Sequence, residues 1–179
     1  MPPGRGVAWR GRPAGARRYR RPMQQITPCL WFDDQAEEAV RHYTSVIPNS
    51  RITGVTHYTE AGPGTPGTVL TVAFELDGRP YVALNGGPLF PFTEAVSLQV
   101  HCDDQAEVDR LWAALLEGGG QEGPCGWLKD RWGLSWQVTP QVLIDLVADP
   151  DRAKAARVTT AMLEMRRIDI QRLLDAAAG

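Results

Sequence analysis

The stretch DDQAE stands at Asp33–Glu37 and again at Asp103–Glu107, 70 residues further on. The first copy follows the β-like run ITPCLWF (Ile26–Phe32) and the second follows AVSLQVHC (Ala95–Cys102). A helical pattern comes after each. Asp34 with Glu37, and Asp104 with Glu107, have the spacing of a capping box. The Asp carboxylate accepts from a first-turn amide and the Glu reaches back toward the cap. The motif therefore reads as a helix start used twice, and its acids as structural, since a capping carboxylate is already engaged. The same motif at the same strand-to-helix junction points to an internal duplication.

The matched register extends upstream. At an offset of 70, Ile26 falls on Val96, Thr27 on Ser97, Pro28 on Leu98 and Leu30 on Val100. Inside the helices the offset slips to 69, pairing the stripe Ala39, His42, Tyr43, Val46 with Val108, Leu111, Trp112, Leu115. After the first helix come SRITGVTHY, the loop AGPGTPG, then TVLTVAFEL and RPYVALN, joined by Asp77-Gly78 as a hairpin turn. After the second, EGGG ends a helix and does not follow a strand as a phosphate loop would. GWLKD and LSWQVT then read as strands with Gly133 in the turn. Each unit is β-α-β-β-β, the second partly eroded.

From Pro140 the pattern is helical: PQVLIDLVAD, PDRAKAARVTTAMLEM and DIQRLLDAAA. Asp149 and Asp151 flank Pro150 as a start signal, and Met162 and Met165 lie on an apolar face. The expected fold class is α+β: two tandem βαβββ modules forming curled mixed sheets, followed by C-terminal helices. Residues 1–22 read as a disordered Arg/Pro/Gly-rich extension and 23–179 as one domain. Within it, module one is 23–90, module two 91–139, and the helices occupy 140–177.

Composition narrows the function classes. Hydrophobic content of 43% and charged content of 22% are ordinary for a soluble globular chain of 179 residues. No apolar run reaches membrane-spanning length. Residues 1–22 carry seven Arg and no acid, with too little apolar surface to fold, and read as an extension or tail ahead of a natural start at Met23. The remaining chain has 12 Lys/Arg against 21 Asp/Glu, a net −9. That balance argues against nucleic acid as partner, because phosphate affinity needs clustered cations. Cys29, Cys102 and Cys125 are odd in number and widely spaced, fitting neither a zinc ribbon nor a disulfide framework. They read as reduced, mostly buried thiols in a cytoplasmic protein.

The paired β-α-β-β-β units resemble the vicinal oxygen chelate superfamily, which includes glyoxalase I, ring-cleaving dioxygenases and bleomycin-resistance proteins. ITPCLWFDDQAEEAVRHY, ALNGGP, AVSLQV, GPCGWLKDRWGLSWQVTP and AMLEMRRIDI resemble its PhnB-like branch. Members of that branch often carry the label 3-demethylubiquinone-9 3-methyltransferase. The resemblance runs from Gln24 to Leu174 and implies two sheets that each curl around a cavity, in a homodimer.

It also implies where metal ligands would sit: on the first strand of each unit, at Thr27 and Ser97, and on a late strand, at Gln137 and near Asn85. Two hydroxyls and two amides make a poor divalent site, so no metal is expected. His101, on the strand face of Ser97 and Gln99, is the one side chain that would restore it.

What remains is a polar-floored, aromatic-walled pocket. Thr27, Cys29 and Trp31 share one strand face, Ser97, Gln99 and His101 a second, and Tyr81, Ala83 and Asn85 a third. Trp127, Trp132 and Trp136 add flat surfaces, some of which simply fill the core. The candidate ligand-binding set is Thr27, Cys29, Trp31, Asn85, Ser97, Gln99, His101, Trp136 and Gln137. No catalytic residue is assigned. Cys29 has no base placed beside it and reads as a buried thiol.

The expected function is metal-free binding of a small organic molecule. The alternative is a lyase- or dioxygenase-like enzyme working with a divalent metal or in a metal-free cavity. Methyl transfer ranks last, because no strand leads through a Gly-rich turn into a helix that would hold a nucleotide-type methyl donor. Expected partners are the small molecule and a second copy, with no nucleic acid and no membrane.

Overall fold

The computed structural model describes residues 26–179; the arginine-rich stretch 1–22 and Met23 lie outside the described residues. The first module runs β1 (Cys29–Phe32), α1 (Ala36–Val46), β2 (Arg51–His57), β3 (Val69–Leu76) and β4 (Arg79–Asn85). Its sheet has the order β1-β4-β3-β2, with β1 parallel to β4 and the other pairs antiparallel. Between β3 and β4, Asp77 (φ 47°) and Gly78 (φ 70°) both take the left-handed conformation. That is the type I′ geometry whose twist matches the flanking strands.

The second module repeats the plan with β5 (Ser97–Cys102), α2 (Gln105–Leu116), β6 (Gln121–Glu122), β7 (Trp127–Lys129) and β8 (Ser135–Pro140). Its order, β5-β8-β7-β6, is the same as that of the first sheet. The erosion is confined to β6 and β7, which have two and three residues. Three helices close the chain: α3 (Gln141–Val147), α4 (Arg152–Leu163) and α5 (Ile170–Ala178). The architecture is α+β, with two tandem four-stranded mixed sheets. Neither sheet closes into a barrel.

The repeated motif caps only one of its two helices. Asp104 accepts from the Glu107 amide at 2.8 Å, and Glu107 Oε2 accepts from the Asp103 amide at 3.0 Å. The first copy does not form this box. α1 opens at Ala36, and its cap position, Gln35, makes no side-chain capping bond. Asn85 does the work instead, its Oδ1 accepting from the Ala36 amide at 2.8 Å. The register explains the difference. Phe32 pairs with Asn85, which sets that amide beneath the helix start, whereas the equivalent pair in the second sheet is Cys102 with Pro140. Proline has no side-chain acceptor to offer, so Asp104 supplies its own.

Ala36, Ala39, Val40, Tyr43 and Val46 of α1, and Val108, Leu111, Trp112 and Leu115 of α2, are buried in one core shared by both modules. His42, in the expected stripe, is half-buried, its Nε2 3.0 Å from the Ala114 carbonyl of α2. A carboxylate joins the modules. Asp130, 3% exposed, accepts from Tyr43 Oη (2.7 Å), Trp136 Nε1 (2.9 Å) and the amides of Trp132 and Leu134 (3.0 Å each). Burial pushes its pKa up, against these four bonds, which pull it down; burial also holds the Tyr43 phenol well above its usual value. The C-terminal helices enclose a second, smaller core of Leu143, Leu146, Val158, Met165, Ile168 and Leu173, with Met162 half-buried beside it. α1 and α2 fill one side of each sheet, and the opposite side is its open face.

Candidate functional site

Side-chain alternation along each strand decides which residues reach those open faces. On β5, Leu98, Val100 and Cys102 turn to the core, leaving Ser97, Gln99 and His101 on the other side. On β8, Trp136 and Val138 are core residues, leaving Ser135, Gln137 and Thr139. The pairs Ser97–Ser135, Gln99–Gln137 and His101–Thr139 make these one continuous polar face, extended by Trp127 and Lys129 of β7. Gln137 Nε2 donates to Ser97 Oγ at 2.8 Å. Gln99 and His101 are exposed.

The open face of the first sheet is mainly apolar: Cys29 and Trp31 of β1 lie beside Val82 and Leu84 of β4. Thr27, just before β1, is exposed. The Trp31 indole N–H donates to the Gly87 carbonyl at 2.8 Å, and its ring meets Phe90 edge-on at 5.1 Å. A Cβ on Gly86 would lie 2.2 Å from the Trp31 ring, so this close approach requires glycine.

Four sequence expectations are corrected. Tyr81, Ala83 and Asn85 do share a face, but it is the core side. Asn85 is 8% exposed, and its amide is used up between Ala36 N and the Val69 carbonyl (3.0 Å). Trp136 is 2% exposed and bonded to Asp130; as the strand neighbour of Gln137 it must point the other way. The counterpart of Gln137 in the first sheet is Val82, not Asn85, because Cys29 pairs with Val82 as Gln99 pairs with Gln137. Cys29 is exposed; the buried thiol is Cys102, pushed up to about 12 by burial and then by the Glu107 charge. Of the three late tryptophans, Trp132 is half-buried under Arg131 and only Trp127 belongs to the open face.

At the β7 end of the second sheet's open face lies a cavity of ≈460 Å³. Glu94, Gln121, Trp127, Lys129 and Ser135 line it, together with the Gly123–Cys125 loop. Lys129 Nζ meets Glu94 Oε1 at 2.6 Å, and that bond holds the Glu94 carboxyl below its usual range. Ser135 Oγ is buried and, among the described residues, has no hydrogen-bond partner. The loop is pinned from behind by the α4–α5 connection: Cys125 N donates to the Met165 carbonyl (2.8 Å) and Gly126 N to the Arg166 carbonyl (2.6 Å). Ser135 and Lys129 escaped the sequence reading. Yet each stands two residues from a residue it named, Gln137 and Trp127, and so on the same face.

The donor set does not suit a divalent metal. Thr27, Val82, Ser97 and Gln137 offer no anion and no imidazole, and His101 stands alone on its face. Among the described residues, no three His, Cys, Asp or Glu side chains gather into a metal-holding group. β1 and β5 run into acidic Asp-Asp turns, and Gly118–Gly120 ends α2 instead of opening a helix.

The family described as 3-demethylubiquinone-9 3-methyltransferase matches residues 24–139. Among solved structures, the chain is similar to a Bacillus cereus PhnB protein provisionally described as that methyltransferase. The two are 36% identical over 65% of this chain and 99% of the other, with a TM-score of 0.58. A Pseudomonas aeruginosa protein shares the fold at 22% identity and TM-score 0.54, over 66% of this chain and 98% of its own. A glyoxylase/bleomycin resistance/dioxygenase domain from Frankia matches at 17% identity and TM-score 0.40, over 64% of this chain and 95% of its own. No curated protein matches.

Proposed function

The chain belongs to the 3-demethylubiquinone-9 3-methyltransferase (PhnB-like) family, and on that premise we propose that it binds a small organic molecule, without a metal, on the open face of its second sheet. One observation carries the reading. That face carries Ser97, Gln99, His101, the buried Ser135 and Gln137, and ends in a cavity of ≈460 Å³ beside Trp127. The volume lies within the range of small-molecule sites, and hydroxyls and amides beside a flat indole suit orientation of a partly flat ligand.

A second copy belongs to this reading. The first sheet's open face carries Trp31, Val82 and Leu84, and Leu89 and Phe90 beside it are 71% and 58% exposed. Apolar surface of this kind supports burial against another chain, whose apolar wall would complete the polar one. The exposed free thiol of Cys29 supports a reducing, cytoplasmic setting. Among the described residues, no helix is long and apolar enough to cross a membrane.

Amide NMR with a fragment library tests the site. Shifts should gather on Ser97, Gln99, Trp127, Ser135 and Gln137; shifts gathered on the first sheet alone would overturn the reading. Methyl transfer is outside it. Titration calorimetry with S-adenosylmethionine should give no heat of binding, and micromolar affinity would reverse that exclusion.

A further inference from the structure

We infer that the ligand of this cavity is a flat organic anion, a carboxylate on an aromatic or conjugated body, whose charged group takes the place of Glu94 on Lys129; the inference rests on the site reading above. Three observations lead to it. First, Lys129 is fixed on β7 opposite Ser135, with its ammonium at the cavity and its side chain one-third exposed. Second, its partner is a loop residue. Glu94 comes from the β4–β5 connection, with a side chain 63% exposed, and reaches 2.6 Å to the ammonium. When one partner is held by a strand and the other by a loop, the loop carboxylate is the one that yields. An incoming carboxylate then finds a cation whose geometry is already set.

Third, Ser135 Oγ, on the strand position facing Lys129, is buried without a partner among the described residues. Buried hydroxyls are nearly always bonded, so an orphan inside a cavity wall marks a bond that something else completes. A carboxylate has two oxygens: one accepts from Lys129 Nζ and the other from Ser135 Oγ once the lysine stem lifts with its new partner. The remaining acid of the wall, Glu122, is engaged by Trp112 Nε1 (3.1 Å) and Arg166 (3.5 Å), so it does not compete for Lys129. Trp127 supplies the surface on which a flat body lies. Glu94 thus acts as an internal stand-in that keeps the cation covered while the cavity is empty.

The test uses the full chain with 2-naphthoate and its neutral amide, 2-naphthamide, read by calorimetry and by the Trp127 indole N–H shift. The carboxylate should bind more tightly than the amide by about tenfold. Glu94→Gln removes the stand-in and should tighten the carboxylate by about twofold to fivefold, the scale of an exposed ion pair, without helping the amide. Lys129→Gln should abolish the preference for the anion, and Ser135→Ala should weaken it. Equal binding of acid and amide, with shifts still on Trp127 and Ser135, overturns the inference while leaving the site reading intact. Binding of neither compound also overturns it, and the fragment mapping above then decides the site reading separately.

Discussion

Asp130 takes four hydrogen bonds on two carboxylate oxygens, from Tyr43, Trp136 and two backbone amides. Three of these donors cannot turn into acceptors, because the two amide N–H groups and the indole N–H only donate. Tyr43→Phe removes the bond from α1 to this buried carboxylate of the second module and should cost about 1.5–3 kcal/mol, the range for a bond to a charged partner. Urea unfolding near neutral pH should show a lower midpoint with an unchanged slope. The pH dependence carries a sign. A raised native pKa means that the folded chain holds the proton more tightly than the unfolded one. Stability therefore falls as pH rises from the ordinary 3.8 toward the native value, and is level above it. Losing the Tyr43 bond raises the native value further, so the falling stretch should reach higher pH in the variant; an identical profile would remove Tyr43 from the account. Single residues were the hardest part to read in the sequence. Alternation shows that Trp136 and Gln137 face opposite ways, but not which of them faces the core. That is decided by α1 and α2 packing on one side, a contact between segments far apart in the chain.

At the scale of elements, the two helix starts that share DDQAE have different physical caps. Asp104→Ala removes a bond that is present and should destabilise by about 1 kcal/mol, as N-cap losses do. Asp34→Ala removes none and should stay within about 0.5 kcal/mol. Asn85→Ala takes the cap from α1 and a partner from the Val69 carbonyl, inside the core, and should cost about 1–3 kcal/mol. Thermal melts of the three variants rank them; a loss for Asp34→Ala as large as that for Asp104→Ala would contradict the assignment. The order of elements was legible because strand alternation, the 3.6 period and Asp77-Gly78 are local signals. The cap of α1 was not, because its acceptor comes from Asn85, brought in by parallel pairing with Phe32. The same pairing corrects the counterpart of Gln137 to Val82. Ser135 and Lys129 were within reach of the alternation argument, but only once β7 and β8 were known to be paired in register.

At the scale of the whole molecule, the family match ends at residue 139 and α3 begins at Gln141, so the helical bundle lies beyond the matched span. The bundle has its own core, and polar ties join it to the rest, among them the ion pairs Arg166–Glu122 and Arg167–Asp109. One tie is Gln105 on α2, whose Nε2 donates to the Ile168 carbonyl (3.1 Å) while its Oε1 accepts from the Ile170 amide (2.8 Å). Another is the pair of amides at Cys125 and Gly126, which donate to the carbonyls of Met165 and Arg166 and so hold the wall of the cavity. Gly126 fits there because it has φ 84°, and because a Cβ would lie 2.8 Å from the Val138 carbonyl. The bundle, the loop and the cavity should therefore open together, as a unit less stable than the sheets. Gln105→Ala breaks the first tie without touching the cavity. Hydrogen exchange in that variant should quicken by about tenfold or more at Cys125, Gly126 and the first turn of α5, given the worth of two buried bonds. Amides of β3 and β8 should keep their wild-type protection. Uniform quickening across both sheets would mean that the bundle unfolds only with the whole chain, and that the cavity wall has no independent motion.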